Sequence, residues 1–242
     1  FSSMPLTAPP AARGTATFTV PAIAVPAPAT AGTITATITA TTPGKYDDGA
    51  LLVTHDGAVV TTAPLSAVLL HGRDRTPQEM IGVAGRIGLP QIAWRALKAP
   101  GGSWYPGSFL APLADNQPHL DQALAQVEAE VRTLEALGVP RRRIVLVGFS
   151  QGACVACEYV RRHPRRRGGL IAFTGGLFGP EGSVWDSSAS LAGTPALITN
   201  SDRDDWVPWS RTRETAAALR RMGAEVVLKL YPGRDHIVCD DE

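Results

Sequence analysis

Ser150 stands in the pentapeptide Gly148-Phe149-Ser150-Gln151-Gly152, directly after the apolar run Ile144-Val145-Leu146-Val147. A serine hydroxyl is a weak nucleophile at neutral pH. It attacks an electrophilic carbon only when a neighbouring base takes its proton and an acid holds that base in the right tautomer. Glycines two residues to either side keep side chains out of a tight turn. A serine held there, between a strand and a helix, is pushed out above the sheet beside the helix N-terminus. A glycine-flanked serine can also do no more than cap a helix, but the position between a predicted strand and a predicted helix favours the nucleophile.

In such an architecture the partners follow in the order serine, acid, histidine. Two histidines lie downstream of Ser150. His163 ends the helix that begins at the serine, where the helix dipole favours a cation. His236, in Tyr231-Pro232-Gly233-Arg234-Asp235-His236, follows the last predicted strand and is the expected base. The acid should come from the loop before that strand, where Ser201-Asp202-Arg203-Asp204-Asp205-Trp206-Val207-Pro208 offers Asp202, Asp204 and Asp205. Spacing alone leaves all three open, and an aspartate in such a loop ordinarily caps a helix or stays solvated.

The elements that must position these groups are readable from periodicity. Short apolar runs at 65–72, 91–97, 143–149, 169–176, 194–200 and 224–231 predict strands buried on both faces. Between them the pattern predicts helices over 77–87, from His119 to about 138, over 151–163 and from Ser210. In the second helix Leu120, Leu124, Val127, Val131, Leu134 and Leu137 recur at steps of three and four and share one face. Alternating strands and helices imply an α/β fold with a mainly parallel sheet, covered on both sides and carrying its function at the strands' carboxyl ends. Asp56-Gly57, between two apolar runs, predicts a hairpin leading into that sheet. Residues 1–44 form an Ala/Thr/Pro-rich N-terminal extension. Within it the alternation Thr33 to Thr41 fits a short strand or a linker. The main α/β domain is expected over 45–242.

Composition narrows the function classes. The chain has 242 residues, 19% of them charged, and a formal net charge of +1, so no global field gathers nucleic acid or an anionic membrane. Three cysteines are too few for a disulfide framework. Cys154 and Cys157 form a Cys-x-x-Cys inside a helix, a setting of packing residues rather than of a redox pair. The arginines of 161–167 and 141–143 lack interleaved aromatics and read as a solvated face. His236, Cys239 and the nearby carboxylates share no metal-ligand spacing with a second cluster. No apolar run reaches the roughly 18 residues that span a bilayer and no leader pattern opens the sequence, so a cytoplasmic location is the default expectation.

Taken together, Leu69-Leu70-His71-Gly72-Arg73-Asp74, Ala99-Pro100-Gly101-Gly102-Ser103-Trp104-Tyr105, the Ser150 pentapeptide, Gly175-Gly176-Leu177-Phe178-Gly179, the Asp204 loop and the His236 loop resemble the phospholipase/carboxylesterase family of α/β-hydrolases, over roughly residues 65–240. The resemblance implies that the acid is Asp204, three residues before Val207-Pro208. It places the oxyanion hole at the backbone N–H groups of Arg73 and Gln151. Trp104, Tyr105 and Phe109 cluster in a glycine-rich loop after a strand, where they either wall a pocket or pack in the core, and the resemblance implies that Trp104 and the loop around Phe178 line the substrate cleft. Asp74 departs from the family pattern, which carries a second glycine there; if the position needs positive φ, aspartate tolerates it comparatively well. The resemblance implies a closing helix past the histidine loop, whereas six residues follow His236 here, so either the tail is missing or another segment props that loop, the N-terminal extension being one candidate.

The expected activity is cofactor-free and metal-free hydrolysis of short- to medium-chain carboxylic esters through an acyl-enzyme. A thioesterase or lysophospholipase using the same residues is the nearer alternative. A catalytically silent hydrolase fold that only binds is the alternative from another class. The partner expected is a small-molecule ester, with neither nucleic acid nor stable membrane insertion, and a homodimer is left open.

Overall fold

A computed structural model describes residues 15–20, 34–39, 53–186 and 188–242. The chain separates into two compact units, Phe1–Ala50 and Leu51–Glu242. In the first, strands β1 (Thr15–Val20) and β2 (Ile34–Thr39) pair antiparallel, Thr15 opposite Thr39 and Val20 opposite Ile34. The period-two stretch Thr33 to Thr41, read as a short strand or a linker, contains β2, whereas nothing in the sequence singles out β1; the rest of the extension lies outside the described residues.

In the second unit seven strands form one sheet in the order β3-β5-β4-β6-β7-β8-β9. These are β3 (Val53–Gly57), β4 (Ser66–Leu70), β5 (Ala93–Leu97), β6 (Ile144–Phe149), β7 (Gly169–Phe173), β8 (Pro195–Asn200) and β9 (Glu225–Leu230). Only β3 runs antiparallel to its neighbour. Helices α1 (Pro77–Ile87), α2 (His119–Ala136), α3 (Gln151–Arg162) and α4 (Trp209–Arg221) supply the crossovers from β4 to β5, β5 to β6, β6 to β7 and β8 to β9. The arrangement is an α/β-hydrolase fold. None of the described helices is long and apolar enough to cross a membrane.

Strand alternation divides the core between the two faces. On β4, Val68 and Leu70 join the cluster built with α2, α3 and α4, while Ala67 and Leu69 join Met80 and Ala84 of α1 on the opposite face. Helix α2 buries Leu120, Leu124, Val127, Val131 and Leu134 as its spacing predicts; Leu137, past the helix end, is exposed instead. Helix α1 is framed by a Thr76–Glu79 capping box and ends at Gly88 in the left-handed conformation.

Two expectations need correction. Asp56-Gly57 does not turn a hairpin: Gly57 ends β3 at φ +75 opposite Ala93, and the following residues curl through bonds to the Val59 carbonyl before entering β4. Glycine is required at that close approach, since a Cβ would lie 2.2 Å from the Ile92 carbonyl oxygen. Strand β9 is not buried on both faces either, because it closes the sheet's edge and leaves Val227 and Leu230 exposed.

Candidate active site

The carboxyl ends of the parallel strands gather the chemistry. Ser150 lies between the end of β6 and the start of α3 at φ 55, ψ −119, a region unfavourable for any residue but glycine. Its N–H bonds the Phe173 carbonyl at 2.9 Å and its carbonyl receives the Cys154 N–H at 3.0 Å, so the turn is over-determined. The flanking glycines are needed for contact. A Cβ on Gly148 would meet Ala153 N at 2.5 Å, and one on Gly152 would meet the Leu70 carbonyl oxygen at 2.2 Å. The pentapeptide therefore permits α3 to begin hard against β4 and β6, and Ser150 projects from that corner.

His236 reaches the same corner from the loop after β9. Its Nε2 is 2.8 Å from Ser150 Oγ and its Nδ1 is 2.6 Å from Asp204 Oδ2. A carboxylate only accepts, so Nδ1 carries the proton and the Nε2 lone pair faces the serine hydroxyl. The other oxygen, Asp204 Oδ1, accepts the backbone N–H groups of Trp206 at 2.9 Å and Val207 at 2.8 Å. Burial alone would raise the Asp204 pKa, but bonds from His236 and from these two amides outweigh it and hold the carboxyl below its ordinary value.

The three aspartates left open by spacing take different places. Asp204 meets the imidazole; Asp202 accepts the Gly233 N–H at 2.8 Å, and Asp205 lies on the cleft wall. His163 ends α3, with its ring against Tyr159 at 4.4 Å. Cys154 and Cys157 are free and buried, and burial pushes the Cys154 thiol up to about 11 and the Cys157 thiol well above its usual value.

The His236 loop is propped by its own continuation. Arg234 pairs with Glu242 at 2.6 Å, both side chains buried, and also donates to Thr174 Oγ1 at 2.8 Å. Arg86 of α1 pairs with Asp240 at 2.7 Å, and the Tyr231 hydroxyl donates to the Asp241 carbonyl at 2.8 Å. Neither Arg234 nor Glu242 was singled out in the sequence, where nothing distinguishes a buried ion pair from surface charge.

Arg73, in the loop after β4, and Gln151, the first residue of α3, line the same cleft as Ser150 and His236. Among the described residues neither backbone N–H meets an acceptor within the chain. Asp74 occupies its position at φ 54, with its N–H bound to the Gly102 carbonyl at 2.9 Å. Beneath the loop, fully buried His71 receives the Ala99 N–H on Nε2 at 3.0 Å and donates from Nδ1 to the Gly72 carbonyl at 2.7 Å. Burial lowers its pKa, which keeps this ring neutral.

A cleft of about 760 Å³ opens over Ser150 and His236. Tyr105, Phe109, Leu110 and Val207 form its apolar wall, with Arg73 and Asp205 at the polar side. Of the aromatics named in the sequence, Tyr105 and Phe109 line it. Trp104 and Phe178 do not: each is 1% exposed and packs behind the wall, the Trp104 indole donating to the His71 carbonyl and the Phe178 ring lying edge-on to Tyr105 at 4.7 Å. Trp206, missed in the sequence, stands 72% exposed at the cleft rim with its ring 6.4 Å from that of His236.

Known proteins share this architecture. The model of the phospholipase/carboxylesterase family matches residues 68–242. A phospholipase/carboxylesterase crystal structure from Dyadobacter fermentans is 41% identical with a TM-score of 0.74, covering 78% of this chain and 90% of that one. A probable carboxylesterase of Oryza sativa subsp. japonica is 30% identical over 58% of this chain and 54% of its own length. An acyl-protein thioesterase 1 of Gibberella zeae is 28% identical over 43% of this chain and 46% of its own length. The matched region thus spans about half of each of these two curated relatives.

Proposed function

The chain belongs to the phospholipase/carboxylesterase family, and on that premise we propose that it hydrolyses carboxylic esters with Ser150 as nucleophile, His236 as general base and Asp204 as the orienting acid. The observation that carries the reading is the relay of bonds from Asp204 through His236 to Ser150, at 2.6 and 2.8 Å.

In the first half-reaction His236 Nε2 takes the Ser150 proton while Oγ attacks the ester carbonyl carbon, and the carbonyl oxygen becomes an oxyanion. The N–H groups of Arg73 and Gln151 donate to that oxyanion; each such donor lowers a barrier of this kind by roughly 3 kcal/mol. Collapse of the tetrahedral intermediate breaks the bond to the alcohol, which leaves with the proton held on Nε2. Water, deprotonated by the same imidazole, then attacks the acyl-enzyme and frees the acid and Ser150.

Short- and medium-chain acyl groups fit the reading, since among the described residues no helix stands in the connections beyond α1 to α4 and the short 3₁₀ turns, and Trp104 and Phe178 fill the space behind the apolar wall. In a series of p-nitrophenyl esters of increasing acyl length, kcat/KM should be highest at the short end; a steady rise to long chains would contradict that preference. The match to an acyl-protein thioesterase favours a second substrate class, thioesters. Rates on a thioester, a lysolipid and an aryl ester at matched concentration discriminate. A fluorophosphonate should add covalently to Ser150, and its failure to label would favour a silent binding fold.

A further inference from the structure

The side chains of Arg73 and Gln151 converge on one atom. The backbone carbonyl oxygen of Tyr105 accepts Arg73 Nη2–H at 3.0 Å and Gln151 Nε2–H at 2.7 Å. The Ser103 hydroxyl donates to the same oxygen at 2.9 Å and itself accepts Gln151 Nε2–H at 3.1 Å, so the meeting point is fully engaged within the chain. Each clasp is reinforced on either side. Arg73 also donates to the carbonyls of Pro106 at 2.9 Å and Gly107 at 2.7 Å, and its guanidinium lies 5.8 Å from the Tyr105 ring centre. Gln151 Oε1 accepts the Trp104 N–H at 2.8 Å, and because that partner can only donate, the amide orientation is fixed with its NH₂ toward Tyr105.

Arg73 and Gln151 come from different elements, the loop after β4 and the first turn of α3, and their backbone N–H groups are the two donors assigned to the oxyanion. Two donors stabilise a developing oxyanion only when both are held at about 2.7–3.1 Å from where it forms. We propose that Arg73 and Gln151 are positioning residues in their side chains as well as donors in their backbones: through the shared Tyr105 carbonyl they fix the separation of their own N–H groups. The proposal rests on the assignment of Arg73 and Gln151 as the oxyanion donors. It deepens that assignment, since the strand of loop that carries the clasp, 103–107, also presents the Tyr105 ring to the cleft. Substrate wall and oxyanion donors form one hydrogen-bonded piece.

Gln151→Glu keeps the acceptor for the Trp104 N–H and sets a second acceptor against the Tyr105 carbonyl. Arg73→Met keeps most of the stem and removes all three carbonyl bonds. With p-nitrophenyl acetate, each variant should lose about 10- to 50-fold in kcat, less than the roughly 10²- to 10³-fold of deleting a donor outright, while KM stays within about twofold and the acid limb of the pH profile does not move. Because both act through one carbonyl, the double variant should fall well short of the product of the two losses. Circular dichroism and a thermal melt check folding; should Arg73→Met not fold, Arg73→Lys, which keeps the charge without the multi-carbonyl fork, carries the same expectation. Unchanged kcat, a loss confined to KM, or losses that simply multiply would overturn the clasp. Wild-type protein assayed and treated with fluorophosphonate alongside separates this failure from the failure of the parent reading: an unlabelled, inactive wild type sinks the hydrolase assignment, whereas a labelled, active one with indifferent variants sinks the clasp alone.

Discussion

Asp204 and His236 are 32 residues apart in the chain and 2.6 Å apart in space, with the other carboxylate oxygen of Asp204 occupied by two backbone amides. Asparagine at 204 could offer its NH₂ to Nδ1 and favour the tautomer that points a proton at the serine. Asp204→Asn should therefore lower kcat by about 10⁴-fold with little change in KM. Asp202→Asn and Asp205→Asn should keep activity within about fivefold, since neither carboxylate touches the imidazole. Steady-state kinetics on one aryl ester compares the three.

The same pair sets the pH behaviour. Asp204 is held below the ordinary carboxylate range, so it stays ionised where an imidazole titrates. The acid limb of kcat/KM should then show a slope of one, a single proton on the base. For stability the sign follows from the depressed pKa: the carboxylate's contribution is present above about pH 4, the unfolded value, and is lost as pH falls through the lower folded value. Urea melts should show this increment absent in Asp204→Asn above about pH 4.

Gly152 faces the Leu70 carbonyl oxygen so closely that a Cβ would stand 2.2 Å from it, against backbone that cannot yield. Gly152→Ala should destabilise the protein by about 3 kcal/mol or prevent soluble expression, as overpacking into a fixed neighbour does. Gly82→Ala is the control, since nothing stands within 4 Å of a Cβ there and helix propensity favours alanine. A chemical denaturation curve for each measures the contrast.

Arg234 anchors the loop two residues before the imidazole. Arg234→Met leaves Glu242 buried without its cation and should cost about 3 kcal/mol. It should also reduce kcat, because the loop that carries His236 loses its tether. The Arg234→Met/Glu242→Gln double variant should recover part of the stability, as removing both charges spares the unpaired one. Urea melts and kinetics on the same preparations check both halves.

The sheet and helices were legible because fully buried parallel strands read as apolar runs and amphipathic helices read at 3.6. The four helices and the six main strands fall where periodicity puts them. Asp56-Gly57 misled because glycine at positive φ serves a strand's end as well as a hairpin. Strand β9 misled because an edge strand can be as apolar as a central one. Around the site, the glycine-flanked serine and the histidine after the last strand were readable, whereas the aspartate was chosen by resemblance alone. The Arg73 and Gln151 side chains were invisible, since their partners are backbone carbonyls and carry no residue signature. Trp104 and Phe178 were assigned to the cleft because an aromatic in a loop reads the same whether it lines a wall or packs behind it.

Ester hydrolysis by Ser150→Ala, compared with wild type under identical conditions, bears most directly on the whole account. Removing the hydroxyl should cut kcat/KM on p-nitrophenyl acetate by at least about 10³-fold and abolish any acyl-enzyme burst, with the thermal melt showing the protein still folded. A folded Ser150→Ala that cleaves the ester at the wild-type rate would mean that the attacking group lies elsewhere.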